Sequence, residues 1–201
     1  MKLFLRTAAV VCALVALIGA QDMPVRWVEV SGVALNVEKS CGRYEFAAAV
    51  QALAAKAGVN VPQAALVERV YGSADCGPVG DPATAASRVS GSYSLDDGTR
   101  FRVSAAYSSG AGTADTIIVP LSQGRAYVAF WKKRPMVVVA AAFNRVNQAG
   151  QLVPFDDGNS YPVIQVIRML DAKTGGTREW RRGADNVGDL TGTMTVTIAR
   201  Q

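Results

Sequence analysis

An α+β fold, with helices gathered early and a mostly antiparallel sheet after them, is what this sequence predicts. The first observation is a change of pattern near Ser92. Before it, Ala-, Leu- and Gln-rich stretches end at Gly58 and Gly72; after it, Val-, Thr- and aromatic-rich runs alternate between short turns. Helical runs followed by strand runs give an α+β chain rather than repeated βαβ units. The second observation is size. The chain has 201 residues, half of them hydrophobic, and no repeat, linker or low-complexity stretch divides it. A single domain over residues 21–201, with a core of its own, is the expectation.

Element by element, Val25–Val37 alternates loosely and is rich in Val, so it reads as extended. Residues 45–57 make the strongest helix, with few β-branched side chains, Gly58 where a C-terminal cap belongs, and Phe46, Val50, Leu53 and Ala57 at core-facing spacing. A second helix over 62–71 opens at Pro62 and stops at Gly72. Asp81-Pro82 starts a short third one reaching about Arg88. Leu95–Thr99 is a turn, and Arg100–Tyr107 alternates as a strand. Asp115–Gln123 reads either as a short helix or as an irregular crossing, since Pro120 interrupts it. Ala126–Trp131, Met136–Val146, Val163–Leu170 and Thr193–Ala199 are further strands, the second apolar enough to be central.

The N-terminal residues 1–20 have the build of a secretory signal: Lys2 and Arg6, an apolar run from Ala8 to Leu17, and Gly19-Ala20 as a small-residue cleavage site. An uncleaved N-terminal anchor is the lesser alternative, because the run is short for a membrane span. Cys12 lies inside the apolar run behind Val11, which is not the setting of a lipoprotein cysteine. The expectation is an exported bacterial protein, periplasmic or secreted.

Formal charge is +5 over the whole chain, and removal of Lys2 and Arg6 leaves +3. Scattered Lys and Arg residues speak against a nucleic-acid binder, which concentrates them on one face. Cys41 and Cys76 are the two cysteines left after processing, and an oxidising compartment favours a disulfide between them. Closing a loop of about 35 residues stabilises by about 3–4 kcal/mol in the chain-entropy picture. Two thiols and no histidine cannot fill the usual zinc shell. No Gly-rich phosphate loop opens a helix after a strand, so no metal and no cofactor is expected.

Several stretches resemble the papain-like cysteine peptidases, in their compact bacterial branch. Glu45-Phe46-Ala47-Ala48-Ala49-Val50-Gln51 matches the family's first-helix opening, Gly58 its stop, and Val61–Gly72 its second helix. Gly98–Val103, Gln123-Gly124-Arg125 and the long strand from Met136 fall in the family's order. The resemblance implies a papain-like build and a groove between helical and sheet halves. It also marks what has been lost. The thiol position holds Glu45, the imidazole position holds Pro135 behind Arg134, and Asp171 stands where an acid would orient the imidazole. Nucleophilic catalysis of this type needs a thiolate, a base and an orienting group. The resemblance therefore implies a catalytically inactive relative. Cys41 is four residues too early to serve as the thiolate at the helix start.

Three functions follow from these residues. In the first, the chain is a pseudo-peptidase that binds a peptide or protein, with Glu45, Phe46, Arg134 and Asp171 lining the groove; the plain alternatives are that Glu45 only complements the helix dipole and Arg134 is solvated. In the second, Glu45 is the general acid of a cell-wall glycan hydrolase, with Asp171, Asp156 or Asp157 as partner, the carboxyls standing about 5–10 Å apart. In the third, the chain is an exported interaction or immunity-type protein contacting its partner through the sheet, where Tyr127, Phe130 and Trp131 are either an exposed patch or core. Asp156-Asp157-Gly158-Asn159 lacks the alternating ligands of a calcium loop and reads as a turn. Arg178-Glu179-Trp180-Arg181-Arg182 reads as a solvated connection.

Overall fold

The computed structural model describes residues 25–201; the expected secretory signal over residues 1–20 and Cys12 lie outside them. Strand β1 (Arg26–Glu29) leads into three helices, α1 (Gly42–Lys56), α2 (Gln63–Tyr71) and α3 (Pro82–Val89). Then come β2 (Gly91–Ser94), β3 (Arg100–Ser109), helix α4 (Ala114–Ser122), and β4 to β9: Tyr127–Trp131, Arg134–Val146, Leu152–Val153, Tyr161–Asp171, Thr177–Arg181 and Leu190–Arg200. The fold is α+β, with three helices after one short strand and a mostly antiparallel sheet, interrupted by α4, following.

Local chemistry explains most helix ends. Ala57 caps α1 and Gly58 follows it. Gly72 ends α2 in the left-handed conformation at φ 79°, with its N–H on the Glu68 carbonyl, a conformation that a Cβ would disfavour. Pro62 is the N-cap of α2 rather than its first helical residue. The Asp81 carboxylate caps α3 by accepting from the Thr84 N–H. Thr113 and Thr116 form a reciprocal box at the start of α4, which settles Asp115–Gln123 as a helix with Pro120 in its last turn.

The strands form one sheet in the order β2-β3-β9-β4-β5-β7-β8, with β1 and β6 also pairing with β5. Strand β5 is buried continuously from Pro135 to Phe143. Burial of both alternating residue sets is the mark of a strand covered on both faces. Helix α1 lies against β5, β9 and β4, and α4 against β5, β7 and β1. The expected strand over Val25–Val37 is confined to Arg26–Glu29. The Arg178–Arg182 stretch is corrected as well: its residues to Arg181 form β8, an edge strand whose Trp180 is buried and pairs in register with Ile167. Strands β2 and β6 were not expected at all.

Candidate functional site

Glu45 sits in the first turn of α1, its N–H bonded to the Cys41 carbonyl at 2.9 Å. That helix end is pinned from outside. Cys41 and Cys76 are at disulfide distance, their Cα atoms 5.7 Å apart, and the Arg43 N–H donates to the Gly77 carbonyl at 2.9 Å. The Tyr44 hydroxyl donates to the Ala74 carbonyl at 3.0 Å. Deeper in, Gln51 donates to the Val61 carbonyl at 2.7 Å, and the fully buried Gln63 donates to Gln51 at 2.9 Å. This buried amide pair locks α1 to α2.

Arg134 opens β5 directly after a tight turn, and Asp171 ends β7. The antiparallel register pairs Met136 with Asp171, which brings the two side chains to the same end of the sheet. The Arg134 Nη2 lies 2.9 Å from Asp171 Oδ1, and its Nε lies 3.6 Å from Glu45 Oε2. Asp171 Oδ1 also accepts the Lys173 N–H at 2.8 Å. Thus Glu45, Arg134 and Asp171 converge, with Pro135 beside them, buried and opposite Phe130 in the β4–β5 register.

What the cluster can do follows from who faces whom. The Glu45 and Asp171 side chains are 7% and 11% exposed, whereas Arg134 is 38% exposed. Both carboxylates turn inward to one guanidinium, and the cation faces water. A thiolate–imidazole pair is not assembled here: among the described residues both cysteines, Cys41 and Cys76, are at disulfide distance from each other, and the chain has no histidine. Glycan hydrolysis needs a carboxyl presented to the sugar; Glu45 is presented to Arg134 instead.

Burial decides two other candidates. Phe46 is fully buried and packs in the core, so it cannot touch a ligand. Tyr127, Phe130 and Trp131 are also core residues. Asp157 accepts the Asn159 N–H at 2.9 Å and shapes a polar turn between β6 and β7.

A groove between helical and sheet halves is present, but at the other end of α1. Leu53, Lys56 and Ala57 face Val196, Thr197 and Ile198 of β9 across a cavity of about 270 Å³ that residues 124–126 also line. From Glu45 to Lys56 is about 16 Å along the helix, at 1.5 Å per residue. A second cavity of about 270 Å³ continues along β9, lined by Pro120, Arg125, Ala126, Tyr127 and Thr195–Thr197. The sequence carries no local sign of this groove, because it forms where two strands distant in the chain part. No protein-family model, curated protein or solved structure matches the chain.

Proposed function

We propose that the chain is an exported protein of papain-like lineage that works by binding a peptide or protein and performs no peptidase chemistry. One observation carries this reading: the residues at the thiol and orienting-acid positions, Glu45 and Asp171, are both held by Arg134, which directly precedes the imidazole position. An inward-facing ion cluster is a stabilising use of those positions. It supports binding over the hydrolase alternative, and the groove beyond Lys56 supplies a surface. The disulfide-distance pair Cys41–Cys76 is compatible with an oxidising compartment. None of the described helices is long and apolar enough to cross a membrane.

The test uses the full chain expressed with its own first residues. The expected result is recovery from the exported fraction in processed form, no cleavage of casein or of fluorogenic peptides, and a specific cross-link to an exported polypeptide. Peptide cleavage abolished by a thiol-blocking reagent would overturn the reading, and so would the absence of any cross-linked polypeptide.

A further inference from the structure

Strand β9 is paired with β3 from Gly192 to its end, Ser109↔Gly192 to Phe101↔Arg200. On its other side β4 accompanies it only as far as Val128↔Met194. Beyond that point Ala126 and Arg125 would oppose Val196 and Thr197, but they peel away. The reason is local. Gly124 takes φ 71° after α4, and the Arg125 N–H bonds back to the Pro120 carbonyl at 2.9 Å, so the chain joins the sheet only at Tyr127.

The register decides which backbone groups are left over. The Gly110 N–H donates to the Thr191 carbonyl and the Gln201 N–H to the Arg100 carbonyl. Odd-numbered residues of β9 therefore point their main-chain groups at β3, and even-numbered ones point away, because the groups alternate along a strand. For Met194 that means β4. For Val196 and Ile198 it means the groove, and neither N–H has a hydrogen-bond partner among the described residues.

Proteins usually guard such an edge. The outer edges of this sheet are guarded: β2 has four residues, and β8 carries Arg178, Glu179 and Arg181. The inner edge at Val196 and Ile198 is not. Two donors and two acceptors there repeat at about 6.8 Å, the two-residue step of a strand, above an apolar floor of Leu53 and Ala57. The groove charge is one-sided. Lys56 and Arg125 line it, no Asp or Glu does, and neither cation is in an ion pair among the described residues.

We infer that the partner docks by strand addition: an extended, acidic peptide segment pairs with the Val196–Ile198 edge of β9, its carboxylates meeting Lys56 and Arg125. Backbone pairing supplies affinity and the flanking side chains supply selectivity. This rests on the binding reading above and gives the bound segment its place and its charge.

The test is residue-resolved amide exchange and NMR titration with two capped eight-residue peptides, one alternating valine with glutamate and one alternating valine with lysine. In the free protein the Val196 and Ile198 amides should exchange at least about tenfold faster than those of Thr195 and Thr197, which face β3. The glutamate peptide should protect them, and the lysine peptide should need at least about tenfold higher concentration. Val196→Pro removes a donor that bonds nothing in the free protein, so it should weaken the glutamate peptide about tenfold or more. The double variant Lys56→Glu with Arg125→Glu leaves the backbone alone and should reverse the peptide preference. Shifts mapping elsewhere, or no shifts, would overturn strand addition. If the cross-linked polypeptide of the previous section survives Val196→Pro and the charge reversal, the binding reading stands and the edge assignment fails. Protection of the same two amides by concentration alone would give the edge to a second copy of the chain and also overturn the proposal.

Discussion

Replacing Arg134 by methionine keeps an apolar stem and removes the one cation that two carboxylates share. Glu45 is then left buried without a counter-charge, and the loss should be about 2 kcal/mol, less than for a fully buried pair because Arg134 is half-exposed. Urea denaturation measures it, and peptide hydrolysis should not appear. A neighbouring position behaves oppositely. Lys132 and Lys133 turn from β4 into β5 with φ 49° and 65°, where Asn or Gly is favoured. Lys132 has compensation in Asp189 at 3.3 Å; Lys133 has none among the described ion pairs. Lys133→Gly should raise stability by about 1 kcal/mol, read from the same denaturation midpoint. At this scale the sequence singled out Glu45, Arg134 and Asp171, but not that Arg134 pairs with both carboxylates. That contact depends on the β5–β7 register, which no local pattern encodes.

Among the elements, the entry of α1 is held by contacts far along the chain. Cys41 is its N-cap yet makes no side-chain capping bond; its sulfur is committed to Cys76 in the α2–α3 connection. Replacing both cysteines by serine should cost about 3–4 kcal/mol. Thiol labelling under denaturing, non-reducing conditions followed by peptide mapping should leave Cys41 and Cys76 unlabelled, and label on either would refute the linkage. Helices α1 to α3 were legible because their stops and starts are local: Gly58, Pro62, Gly72 and Asp81-Pro82. Strand β8 was not. Four of its five residues are Thr, Arg or Glu, and the inward-facing Trp180 alone betrays it. Strand β6 has two residues, too few for any periodicity.

For the whole molecule, the α+β order could be read from composition, whereas the sheet order could not, since β9 inserts between β3 and β4. Two half-buried tyrosines tie the helical layer together and to β2: the Tyr71 hydroxyl donates to the Val79 carbonyl at 3.0 Å and the Tyr93 hydroxyl to the Val89 carbonyl at 2.7 Å. Burial pushes Tyr71 from the usual 10.0 up to about 12, against the opposing pull of Arg43, and pushes Tyr93 up to about 12 against Arg69. Burial raises Tyr127 as well. Below pH 10 these hydroxyls are protonated in both states. Between about 10 and 12 the unfolded chain releases protons that the folded chain retains, so stability must fall as pH rises. Urea midpoints at about pH 9 and about pH 11 should show that fall. Tyr71→Phe with Tyr93→Phe should reduce its steepness.

The placement of β9 sets the timetable of folding. Until its residues arrive, β2 and β3 form a hairpin apart from the strands around β5, and the helices have only part of a floor to rest on. Contacts spanning from Phe101 to Arg200 close late because the intervening chain must first be gathered. A polypeptide so arranged stays loose until β9 is in place, so removing β9 should leave the helical layer without its floor.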